Sequence, residues 1–181
     1  MYTLISWKVE GKDENGNVIH LTEKDNLQVN VGKQELLKWI GHLATTSASG
    51  FTFLGFGASS FTPNVADTTI GGTTTGHEYI GNGARYTITN WTQSAETLVY
   101  SGLTFTEKLT GSITINGAVD ANATVAGCPI QSYALFNTWV IPAGVRSVSG
   151  IMLNELVDDN QFLLKNGGSA NTLSVTIVLR Q

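Results

Sequence analysis

Three histidines, one cysteine and fourteen acidic side chains are the raw material for chemistry in this chain. His20, His42 and His77 lie in three separate segments, without the short separations that a zinc site needs, and Cys128 stands alone before Pro129. Each histidine therefore reads as a surface or boundary residue. Asp13-x-Asn15-x-Asn17 begins like a calcium loop, but Val18 and Lys24 stand where that motif needs Gly and Glu. It reads instead as a hairpin turn around Asn15-Gly16. Asp158-Asp159 reads as a pair of solvated turn carboxylates. Gly55-Phe-Gly57 and Gly81-Asn-Gly83 lack the further glycine and the Gly-Lys-Ser/Thr of phosphate loops, and are taken as turns or bulges beside strands. No Gly-x-Ser-x-Gly elbow is present, and the cysteine has no catalytic flank. The Asp and Glu residues fall mostly in turns, so no carboxylate pair for glycoside hydrolysis can be read from spacing. No catalytic residue, metal ligand or cofactor is assigned, and the chain is expected to be non-enzymatic.

The elements that carry these residues are written in the composition. Only 13% of the 181 residues are charged, about half the usual fraction, while 41% are hydrophobic and 20 are Gly. Thr, Ser and Asn fill the place of the missing charge. That balance excludes intrinsic disorder, and no apolar run is long enough to span a bilayer. A net charge of −4, with ten basic residues scattered along the chain, argues against a nucleic-acid partner. A single cysteine excludes a disulfide-stapled scaffold. Met1-Tyr-Thr-Leu-Ile-Ser-Trp-Lys8 has neither a signal sequence nor a lipidation motif, so synthesis in the cytoplasm is expected.

Hydrophobic spacing then gives an all-β chain with one helix. Leu36, Ile40 and Leu43 share a helical face within 32–44. Elsewhere the period is two. Strands are expected over 2–10, 17–23, 27–31, 51–56, 78–91, 97–106, 110–116, 129–139, 148–156, 161–164 and 172–179. The strand over 51–56 is apolar enough for burial on both faces. Turns are expected at 92–96, 116–117, 142–144, 158–160 and 166–168. A polar stretch over 57–76 is long for a loop and therefore of functional interest. Short strands with regular turns indicate a β-sandwich, with jelly-roll topology preferred.

The order of four segments is similar to that of a set of small tailed-bacteriophage virion proteins. They are the helix Lys33-Gln-Glu-Leu-Leu-Lys-Trp-Ile40, the strand Leu54-Gly-Phe-Gly57, Pro63-x-x-Ala-Asp-Thr-Thr69 and Gly83-Ala-Arg-Tyr-Thr-Ile88. Ser149-Gly-Ile-Met-Leu-Asn154 and Leu173-Ser-Val-Thr-Ile-Val178 stand in for the family's closing motifs. The resemblance spans about 33–181; the N-terminal thirty residues lie outside it, and 120–147 look like an insertion. It implies a β-sandwich without catalytic activity that adheres to other virion proteins. The expected role is a capsid decoration, or cement, protein that binds and stabilises the head as a homotrimer. Its partner would be the major capsid protein, with no cofactor, nucleic acid or membrane, and its place the capsid surface after assembly in the host cytoplasm.

A tail or baseplate component, or a receptor-binding module stacking sugars on Trp7, Trp39, Trp91 or Trp139, is the alternative. A jelly-roll hydrolase is the least supported. Two domains are expected, an N-terminal β arm or extension over 1–31 and the sandwich over 32–181. The arm would reach a neighbouring subunit or the capsid with Trp7 as anchor; the competing reading makes it two more strands of the same sandwich. Trp7, Val9, Phe61, Val65 and Ile70 are the expected interface residues.

Overall fold

The computed structural model describes residues 4–25, 27–28, 32–34, 51–57, 60–68, 70–71, 85–117, 129–137, 152–165 and 170–181. Their strands form two five-stranded antiparallel sheets. Sheet A has the order β2 (Val18–Asp25), β1 (Leu4–Lys12), β10 (Thr172–Arg180), β7 (Leu103–Asn116), β6 (Asn90–Tyr100). Sheet B has the order β3 (Leu27–Gln28), β9 (Met152–Leu163), β8 (Pro129–Phe136), β4 (Phe53–Gly57), β5 (Tyr86–Thr87). The pairs nest, β1 with β10, β3 with β9, β4 with β8 and β6 with β7, as in a ribbon folded over on itself. The outermost and innermost rungs lie in sheet A and the two middle rungs in sheet B, whereas a jelly roll would alternate them between the sheets. The chain is thus an all-β sandwich with one short helix, seen from Gly32 to Gln34. Leu36, Ile40 and Leu43 lie outside the described residues.

The core between the sheets follows from the period-two pattern. Ile5, Trp7 and Val9 of β1 and Leu173, Val175 and Ile177 of β10 point inward from sheet A and are buried. Leu54, Phe56, Tyr133, Leu135 and Leu156 meet them from sheet B. Trp7 and Tyr133 stand with ring centroids 6.4 Å apart, and Phe56 packs edge-on against Tyr133 at 5.6 Å. At about 25 cal/mol per Å² of apolar surface removed from water, side chains of this size dominate the stability of the sandwich.

The expected division at residue 31 is not what the structure shows. β1 is an interior strand, hydrogen-bonded to β2 on one side and β10 on the other, so residues 4–25 belong to the sandwich. The reason is the alternation Ile5, Trp7, Val9, which one sheet face can bury completely. The Asp13–Asn17 turn is the hairpin expected there. The Asp13 carboxylate accepts from the backbone N–H of Asn15 and Asn17 at 2.9 and 2.8 Å, and Gly16 takes a φ of 84°. Hydrogen bonds from Asn17 hold the Asp13 carboxyl below its usual range.

Three other expectations are corrected. Residues 92–96 form no turn; β6 runs through them with a bulge between Ala95 and Leu98, and the chain reverses at Ser101-Gly102. Those two take φ of 50° and 80°, the left-handed pair that matches strand twist in a two-residue hairpin. Thr, Gln and Ser at 92–94 look like a turn but sit on an exposed edge strand, where polar side chains are at no disadvantage. Residues 158–160 likewise interrupt no strand: β9 is continuous, with 158–161 bulging opposite Gln131. Gly55 and Gly57 lie inside β4 rather than in a turn; of the strand expected from 78, β5 covers Tyr86–Thr87 and residues 78–84 lie outside the described residues. The expected turns at 142–144 and 166–168 lie outside the described residues.

Candidate functional site

The five expected interface residues separate into two groups. Trp7 and Val9 are 1% and 0% exposed and belong to the core between the sheets, so neither is an interface anchor on this subunit. Phe61, Val65 and Ile70 lie together on the segment that follows β4. Of these only Val65 is exposed; Phe61 is half-buried and Ile70 is buried, because their side chains cover sheet B instead of facing outward.

Sheet B is covered on its outer face, and the register shows how. Gly55, Ala134 and Glu155 are cross-strand partners, so they share one side of the sheet, two residues along from Phe53, Ser132 and Phe136 on the same side. Small residues in the middle leave room for the 60–71 segment. Ile70 fills it, packing with Ala134, Phe136 and Met152, with Phe53 and Phe61 at the rim. A knot of hydrogen bonds shapes the segment. The Asn64 N–H donates to Asp67 Oδ2 at 2.9 Å, the Ala66 N–H to Asn64 Oδ1 at 2.9 Å, and the Asp67 N–H to the Asn64 carbonyl at 2.9 Å. This is the turn chemistry that Asn and Asp supply with their own side chains.

The knot presents Asp67 to Glu155. Both carboxyls are buried, they lie within hydrogen-bonding reach of each other, and the Gly71 N–H donates to Glu155 Oε2 at 3.0 Å. Burial first, and the Asp67 carboxyl second, push Glu155 up to about 8. On the same face of the sheet the guanidinium of buried Arg85 stacks on Phe136, 3.3 Å from the ring centroid. Gly55, Asp67, Arg85 and Glu155 are remote in sequence, yet the fold gathers them on one face of sheet B. No spacing rule announces Glu155, which sits in an apolar strand next to Asn154 and Leu156.

A second polar cluster joins the two sheets. His20 Nε2 lies 2.8 Å from Asp158 Oδ2, and Thr22 Oγ1 donates to Asp158 Oδ1 at 2.7 Å. The Asp158 side chain is fully buried, which corrects the reading of a solvated turn; Asp159 is the exposed one and pairs with Lys24 at 2.7 Å. His20, Thr22 and Lys24 all point from edge strand β2 toward β9, so the bulge at 158–161 serves as their anchorage. Imidazole and hydroxyl end on the same carboxylate, an arrangement that straps β2 to sheet B and sets up no proton relay between a nucleophile and a base. Among the described residues, no three His, Cys, Asp or Glu come together as a metal site.

The outer face of sheet A is open. Thr172, Ser174 and Thr176 of β10 stand beside Thr110, Ser112 and Thr114 of β7 and Asn90, Thr92 and Ser94 of β6. Thr114 and Ser174 hydrogen-bond across the strands at 2.8 Å. Charge lies on β1 and β2 and across one end of the face, where Glu96 of β6 pairs with Lys108 of β7 and Arg180 of β10. Lys8 pairs with Glu10 and Glu23, and Arg180 links Glu96 at 2.7 Å to Ser6 at 2.7 Å. An open groove of about 360 Å³ lies between Ser6, Lys8, Glu23, Asp25 and Arg180. Exposed apolar side chains gather at Val18, Ile19 and Leu21 on β2 and at Val99 and Tyr100 on the β6–β7 tip. The Asp25 carboxylate near the Tyr100 hydroxyl raises its pKa.

The chain matches no protein-family model, no curated protein and no solved structure.

Proposed function

We propose that this chain is a non-enzymatic structural protein of a tailed-phage virion, a capsid decoration protein that adheres to the head surface as a homotrimer. One observation carries the reading. The described parts of the segments that resemble the virion proteins, Leu54-Gly-Phe-Gly57, Pro63 to Asp67 and Arg85, meet around one face of sheet B. A shared motif set that builds a covered sheet is what a scaffold requires. The opposite sheet supports adhesion: the hydroxyl and amide surface of β10, β7 and β6 loses less on desolvation than a charged one when it meets a partner. Trp7 in the core and Trp91, half-buried with its Nε1 donating to the Ile88 carbonyl at 3.1 Å, offer no stacking platform for sugars.

Immunogold labelling tests the reading, using an antibody against the purified chain and phage particles that encode it. Gold over the head is the expected result. Gold at the tail tip would replace decoration with a baseplate role, and unlabelled particles would end the virion reading. Light scattering checks the trimer separately.

A further inference from the structure

We propose that the 60–71 segment is a proton-controlled latch on the outer face of sheet B, closed by one proton held between the Asp67 and Glu155 carboxyls and loosened when that proton leaves. The inference is independent of the virion reading.

The geometry requires such a proton. Asp67 and Glu155 are 6% and 0% exposed, and two buried carboxylates in mutual reach cannot both carry charge. Glu155 Oε2 has the Gly71 N–H, whereas Oε1 is buried and finds no donor. A proton on Glu155 gives the pair its missing donor. Among the described residues, the charged and titratable groups on the neighbouring elements are these. The 60–71 segment contributes Asp67, the approach to β5 contributes Arg85 on Phe136, and the start of the helix contributes exposed Lys33. β8 presents Ser132, Ala134 and Phe136 on this face, none of them titratable. On β9 itself, Asp158 points the other way, to His20 and Thr22.

Ile70 and Phe61 supply apolar contact between the segment and the sheet, and the Gly71 N–H, the Asn64 N–H and the Asp67 carboxyl meet Glu155. The direction follows from linkage. Closed, Glu155 keeps its proton to about 8; open to water, it returns to its ordinary 4.5. Between those values the closed form holds a proton that the open form does not, so each pH unit favours opening about tenfold. Above the upper value both forms are ionised and the effect levels off.

Hydrogen exchange across 60–71, corrected for the intrinsic rate, reads this directly. Wild type should lose protection by about tenfold per pH unit over that window and then plateau. Glu155→Gln, which donates from its amide at every pH, should stay protected throughout, and Asp67→Asn should flatten the profile in the same way. A flat wild-type profile, or an unchanged slope in the folded variants, overturns the latch. If neither variant folds, a carbon-13 titration of the wild-type Glu155 carboxyl decides. A midpoint well above 4.5 supports the shared proton and an ordinary one removes it. Millimolar calcium that restores protection at pH 9 in wild type but not in Glu155→Gln would also overturn the proposal, by making the pair a cation site.

Discussion

The two sheets are built from the same kinds of strand and meet the same core, yet they differ in what lies behind them. β10 of sheet A alternates strictly, with Leu173, Val175 and Ile177 buried and Thr172, Ser174 and Thr176 turned outward. β8 of sheet B is buried without interruption from Ser132 to Phe136. One face of sheet A meets water, so every second residue is free to be polar. Both faces of sheet B are covered, so its outward positions must be small, apolar or paired. A continuous run of buried residues in a strand therefore predicts a cover, and here the 60–71 segment supplies part of it.

Removal of β1 should break this comparison most completely. A chain lacking residues 1–31 strips sheet A of two strands and uncovers Leu173, Val175 and Ile177. Circular dichroism should show no cooperative unfolding transition. A truncated protein that melts like the full chain would restore the arm expected of this segment.

Point substitutions on the two outer faces should give opposite answers. Ile70→Ala opens a cavity under the cover of sheet B and should cost about 2–5 kcal/mol in denaturant unfolding. Thr176→Ala, at an equally outward position of β10, should change stability by less than about 0.5 kcal/mol. Similar losses at both sites would mean that the outer face of sheet A is also covered.

The joint between the sheets should show a middle-sized effect. Asp158→Asn keeps the shape but weakens the bonds from Thr22 and His20, and should cost about 1–3 kcal/mol. Exchange of the β2 amides should rise before the rest of sheet A. If β2 stays as protected as β10, the strap does not hold that edge.

Tyr133→Phe is expected to move stability least among the core changes, and upward. The Tyr133 hydroxyl is buried without a partner, and burial, with the nearby Asp158 charge second, raises its pKa. Removing an unpaired polar atom while keeping the ring should be neutral or stabilising by up to about 1 kcal/mol. A loss of more than that would reveal a hydrogen bond that the hydroxyl does make.

The sequence by itself determined the all-β class and the faces of β1, β4 and β10. These follow from local alternation, which a single exposed or buried face writes directly into neighbouring residues. The Asn15-Gly16 hairpin was legible for the same reason, since a turn is decided by the residues within it. What the tertiary structure alone decided was where distant segments meet. Residues 92–96 and 158–160 carry turn-like composition, but an edge position lets β6 run on through the first, and a bulge anchored by His20 and Thr22 carries β9 through the second. Trp7 looked equally fit to anchor a neighbour or fill a core, and only the pairing of β1 between β2 and β10 assigns it inside. Glu155 is the extreme case. An acidic residue in an apolar strand has no local signature, because its state depends on Asp67 arriving from 88 residues earlier in the chain, and proximity in space is not a property that spacing in sequence can express.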